Sequence, residues 1–213
     1  MSRFLILLFL FSCAGYKYRS KQNPFAQFGI NSLSVPMFYN HSNYADIESV
    51  FTQEIFNTML EYNGLELKSG NKPSDAVLIG IIESRDKLSE SMETVITKSA
   101  DNTFGEDVLG TDRDDLLLPR QRSVGLKLRL IVIKHPTREE IKFLTSKMGE
   151  NAVGSKVIFN EVIGLNSTQT LKSLRGEGIK VLGSQNRGLN RQTMQNMAKS
   201  AANNFKDMIL YAF

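Results

Sequence analysis

From Val124 to Ile133 every second side chain is aliphatic, with Val124, Leu126, Leu128, Leu130 and Val132 on one side and Lys127, Arg129, Ile131 and Ile133 on the other. A period of two marks a strand with one face on a core. Ile30–Met37 alternates in the same way, Leu33, Val35 and Met37 against Ser32 and Ser34, and Pro36 marks its end or an edge. Ala76–Ile82 is almost continuously apolar, as expected of a strand covered on both faces. Leu65–Lys68, Ile141–Thr145 and Lys156–Leu165 supply further strand-like runs, with a hairpin turn over Asn151–Ser155. Elsewhere the period changes. Ile47, Val50, Phe51, Ile55, Met59 and Tyr62 recur at threes and fours within Tyr44–Tyr62, and Asn63-Gly64 supplies a stop. Met194, Met197, Ala198, Ala201, Phe205, Met208, Ile209 and Ala212 do the same after Asn190, a candidate N-cap. Strand, helix, several strands, helix predicts an α+β two-layer sandwich: about four strands, antiparallel or mixed, with two helices packed on one face.

The amino terminus follows neither pattern. Arg3 is followed by Phe4–Phe11 without a polar side chain, then by Ser12 and Cys13. Eight residues span about 12 Å as a helix, far short of a ~30 Å hydrocarbon core, so the run is too short for a transmembrane anchor and has the form of an export signal. Leu10-Phe11-Ser12-Cys13 resembles a bacterial lipoprotein signal box, with Phe11 where a small residue is usual. That resemblance implies cleavage after residue 12, acylation of Cys13, and, because Ala14 follows in place of Asp, an outer-membrane destination on the periplasmic side. Residues 13–28 then read as a lipid-anchored tether and residues 29–213 as one domain.

Charge refines the layout slightly. With 26 Lys and Arg against 22 Asp and Glu, and no run of five basic residues, the net charge of +4 is too mild for a nucleic-acid partner. Residues 101–123 concentrate Asp101, Glu106, Asp107, Asp112, Asp114 and Asp115 with three arginines and read as a long acidic loop. Residues 165–191 carry Lys172, Arg175, Lys180, Arg187 and Arg191 among four glycines and read as a flexible cationic surface.

Catalytic constellations are missing. His41 and His135 are turn residues without a second cysteine or a zinc-ligand spacing nearby, so no metal is expected. No Gly-x-Ser-x-Gly elbow, phosphate loop or dinucleotide fingerprint occurs, so no cofactor is expected either, and an anchored domain of this kind is a binding or assembly part sooner than an enzyme.

One ordered set of short motifs remains: Cys13 closely followed by Gly15-Tyr16, then Ser34-Val35-Pro36-Met37-Phe38 before the first helix, then Ser74-Asp75-Ala76-Val77-Leu78-Ile79-Gly80 after it. In this order they resemble the LPS-assembly lipoprotein family, the E component of the Lpt transport machine, whose members begin Cys-Gly-Tyr; here Ala14 intervenes. The resemblance implies a sandwich of two helices on a four-stranded sheet and no catalysis. It also implies a place inside a large outer-membrane β-barrel as plug and assembly factor, with lipopolysaccharide as ligand. Phosphates on that ligand make exposed cations the sensible contacts. Charge placement, not the family motif, nominates Lys127, Arg129, Lys172 and Arg175, the first two on the strand face turned to the barrel lumen. The alternative partner is a peptidoglycan synthase or another envelope protein, for which a tether of some fifteen residues is short.

Overall fold

The structure is a computed structural model and describes residues 21–84, 92–99, 116–146, 154–170, 173–174, 180–181 and 183–213. Its spine is the alternating strand, which runs far beyond the predicted Val124–Ile133 and forms β6, Leu116–Lys134. Along one side of β6 lie two strands in succession: β4 (Ala76–Ser84) pairs antiparallel with its second half, and β5 (Met92–Ser99) continues antiparallel along its first half. Along the other side runs β7 (Val157–Thr170), paired from Gln121↔Thr170 to Ile133↔Val157. Outside β4 the sheet turns parallel, through β1 (Ser32–Val35) and then β3 (Glu66–Ser69), while the two-residue β2 (Tyr39–Asn40) also pairs with β4. The sheet is thus mixed and has seven strands among the described residues, with a separate two-stranded ribbon, β8 (Ser173–Leu174) and β9 (Lys180–Val181). Part of the expected acidic loop, residues 116–123, is the start of β6, and the remainder of that loop lies outside the described residues.

Helix α1 (Glu48–Met59) places Phe51, Ile55 and Met59 on the sheet at four-residue intervals. Helix α3 (Gly183–Ala212) places Met194, Met197, Ala198, Ala201, Ala202, Phe205 and Ile209 beside it. Small side chains at 198, 201 and 202 allow close approach, while Phe205 reaches Phe159 of β7 with ring centres 5.5 Å apart. The even-numbered residues of β6, Val124 to Val132, complete this core from below. Asn190 is not an N-cap, because α3 already begins at Gly183.

A second, smaller core lies on the opposite face of the sheet. Val77, Ile79, Ile81, Ile131 and Ile133 are covered there by Leu144 and Ile141, and by Tyr39 and Val157. Leu144 and Ile141 belong to α2 (Arg138–Thr145), so the expected strand over Ile141–Thr145 is corrected to a helix. Its start is a capping box: the Thr137 hydroxyl accepts from the Glu140 amide at 3.2 Å, and the Thr137 amide donates to the Glu140 carboxylate at 2.7 Å. The turn expected at His135-Pro136-Thr137 precedes it, with His135 in the left-handed region at φ 42°. The two long helices do share one face as expected, but α2 makes the described architecture three-layered in part.

The end of the segment read as a tether is part of the body. Phe25 is fully buried, the Asn63 amide donates to the Lys21 carbonyl at 2.6 Å, and a one-turn 3₁₀ helix covers Ala26–Phe28. Phe213, from the far end of the chain, packs its ring 5.5 Å from Phe25 and 5.2 Å from Phe28.

Candidate functional site

Two places hold residues that the sequence singles out, and a third holds residues that it does not. The first is the meeting of β1 and β4. Asp75, one residue before β4, accepts hydrogen bonds from the amides of Asn31 (3.0 Å) and Ser32 (2.9 Å), and its own amide donates to the Ser32 hydroxyl at 2.9 Å. Those amide donors, Asn31 foremost, hold the Asp75 carboxyl below the ordinary carboxylate range. Further along, Phe38 lies over Gly80; a Cβ on Gly80 would come within 2.6 Å of Phe38 Cδ1 and closer still to Cγ and Cδ2. The Phe38 amide donates to Thr52 Oγ1 at 3.0 Å, fastening the segment to α1.

The second place is the sheet face turned away from the long helices. Lys127 stands exposed there, with Glu83 and Gly164 as its cross-strand neighbours. Arg129 does not share that exposure: only 6% of it reaches solvent, and its Nε donates to Asn160 Oδ1 at 2.9 Å. Asn160 sits two residues from Arg129's direct partner Val162 on β7, the diagonal position within reach of a long side chain. The expectation that both cations stand free on this face is therefore corrected for Arg129, which is spent on an internal bond. Lys172, Arg175 and Cys13 lie outside the described residues.

A third place was not foreseen. On the helix-facing side, at the end of the sheet away from Phe213, Arg122 and Gln169 are direct cross-strand neighbours beneath the first half of α3. Gln169 is 6% exposed, yet neither its Oε1 nor its Nε2 has a partner among the described residues, and the same holds for Arg122 Nε and Asn190 Oδ1. Gln169 lies four residues beyond the run read as a strand, Lys156–Leu165, and the extension of β7 to Thr170 places it among the buried positions with Phe159, Ile163 and Leu165. Among the described residues no three His, Cys, Asp or Glu side chains gather as a metal site would require.

No family model matches the chain, and no curated protein does. Among solved structures it is similar to a candidate lipoprotein from Caulobacter crescentus CB15, at 6% identity over 81% of this chain and 87% of that one, TM-score 0.40. It is similar also to the rare lipoprotein B from Shewanella oneidensis, at 12% identity over 85% and 92%, TM-score 0.34. A third likeness is to the PelC dodecamer from Paraburkholderia phytofirmans, at 12% identity over 84% and 88%, TM-score 0.31. Similarity this low carries no conclusion about function.

Proposed function

We propose that the chain is an outer-membrane lipoprotein, anchored on the periplasmic side through acylated Cys13, that plugs and helps assemble the LPS-translocating β-barrel. In this role it binds lipopolysaccharide for delivery to the cell surface and catalyses no reaction. The observation that carries the reading is the β1–β4 junction. Val35-Pro36-Met37-Phe38 and Asp75-Ala76-Val77-Leu78-Ile79-Gly80 are distant in the chain but interlock through Phe38 on Gly80, beside the Asp75 clasp on Asn31 and Ser32. Motifs that depend on one another sterically form one long-range signature and carry more weight than separate short matches.

Tether length supports the same reading. With Lys21 and Phe25 already fastened to the body, only residues 14–20 separate them from Cys13. At ~3.3–3.6 Å per extended residue that chain reaches at most about 30 Å, so the domain works beside the membrane that holds its lipid. A partner in the same membrane fits that reach better than a distant peptidoglycan synthase. Lys127, with Lys172 and Arg175, would meet the phosphates of the ligand, while Arg129 holds the strand pair beneath.

The test is a mild-detergent pull-down of the tagged, acylated protein from outer membranes, with identification of stoichiometric partners by mass. Recovery of a large LPS-assembly barrel is the expected result. Recovery of a peptidoglycan synthase, or of no barrel, overturns the proposal.

A further inference from the structure

The exposed large apolar residues are unevenly placed. Of the six among the described residues, Leu60 (60% exposed), Tyr211 (78%) and Phe213 (37%) lie at one end of the fold. Topology fixes that end. Helix α1 finishes there at Met59, α3 finishes there at Ala212, and the ion pair between Lys206 and Glu61 joins the two finishes. The chain coming from Cys13 enters at the same end, where the Lys21 carbonyl meets the Asn63 amide and Phe25 and Phe28 pack on Phe213. The Lys134 ammonium closes the bottom of the sheet there by donating to the Phe28 carbonyl at 2.7 Å.

We infer that this end of the fold is a membrane-seating surface, with Leu60, Tyr211 and Phe213 resting in the headgroup region of the bilayer that holds the acyl chains of Cys13. The occupant follows from the tether. Seven residues between Cys13 and Lys21 keep the entry point within about 30 Å of the acylated residue at full extension, and nearer in any other conformation. The surface closest to the bilayer is therefore the one that carries three of the six exposed large apolar side chains, Leu60, Tyr211 and Phe213. A tyrosine has an apolar ring and a wet hydroxyl, which suits the interface between hydrocarbon and water. Seating of this kind rests on apolar contact with the interface. Beside the acyl anchor, this contact is a second signal that sets orientation as well as attachment.

The inference rests on acylation of Cys13, and the experiment separates the two. The chain has no tryptophan, so Tyr211→Trp gives a single reporter at the proposed surface, Leu60→Trp a second, and Thr170→Trp a control at the opposite end of β7. Each acylated full-length protein is reconstituted into phosphatidylethanolamine–phosphatidylglycerol vesicles containing lipids brominated near the glycerol end of the acyl chains. Emission from the Tyr211→Trp and Leu60→Trp proteins should shift to the blue and be quenched, while that of the Thr170→Trp protein is unchanged. Vesicle flotation without quenching at 211 and 60 overturns the seating and leaves the anchor intact. Failure to float overturns the anchor and the seating with it. Quenching at 211 only after addition of barrel protein assigns the surface to that partner and overturns the inference as well.

Discussion

The ring of Phe38 occupies the space that any side chain at position 80 would need. Gly80 lies in the middle of β4, where glycine ordinarily weakens a strand, so the close approach of Phe38 is the reason for it. Gly80→Ala should cost about 1–3 kcal/mol as overpacking, measured by urea unfolding. Phe38→Leu in the same chain should recover part of that loss. If the two losses simply add, the residues are not coupled through this contact.

Asp75 should set part of the acid limb of stability. Its pKa is depressed in the folded state by the Asn31 and Ser32 amides, so its contribution is present above the unfolded value of about 3.9 and disappears as pH falls through the lower folded value. Asp75→Asn should lower stability at neutral pH and flatten its dependence below pH ~4. Unfolding curves of the two proteins collected across that range should converge on acidification; parallel curves would refute the role given to the clasp.

Lys127 and Arg129 invite a paired comparison. Arg129→Ala removes a buried guanidinium and its bond to the half-buried Asn160, at a cost of about 2 kcal/mol. Lys127→Ala should change stability by less than ~0.5 kcal/mol, since the side chain is exposed. A ligand defect in the Lys127 variant without a stability defect is the signature of a contact. The same defect in the Arg129 variant would follow from the fold alone.

Gln169 should be a liability to stability. Leaving a buried amide unpaired costs about 1–3 kcal/mol, so Gln169→Leu, similar in size, should raise the urea midpoint. A lower midpoint would mean that the amide has partners in solution, for instance ordered water shared with Arg122 and Asn190.

Periodicity made α1, α3, β4 and the second half of β6 legible, because each buries a regular stripe whose residues are plainly apolar. What escaped was hidden for particular reasons. Helix α2 offers only Ile141 and Leu144 to a small core, too few to display a period, although Thr137 and Glu140 stood three apart as a capping box requires. Strand β5 is rich in β-branched residues, Thr94, Val95, Ile96 and Thr97, but its polar positions masked it. Pro119 made residues 116–123 look like a loop; it is tolerated because the β5–β6 register shifts at that point, between Val95↔Gln121 and Ile96↔Pro119. The candidate site divides likewise. Lys127 could be read from alternation alone, whereas the burial of Arg129 depends on Asn160 thirty-one residues away, a pairing that no local pattern encodes.

Strand β6 has 19 residues, which at ~3.3 Å each makes a beam of about 60 Å. It is one unbroken chain, flanked on one side by β4 and then β5 and on the other by β7, so its two halves share a single covalent rail. Hydrogen bonds between strands lie across the direction of the rail. A pull along β6 at its Leu116 end therefore loads the ladder to β7 in shear, with many bonds sharing the strain at once, instead of opening them one by one. Mechanically, the far end of this sheet is coupled to its base: tension or thrust applied there is delivered to the end where Phe213 packs against Phe25.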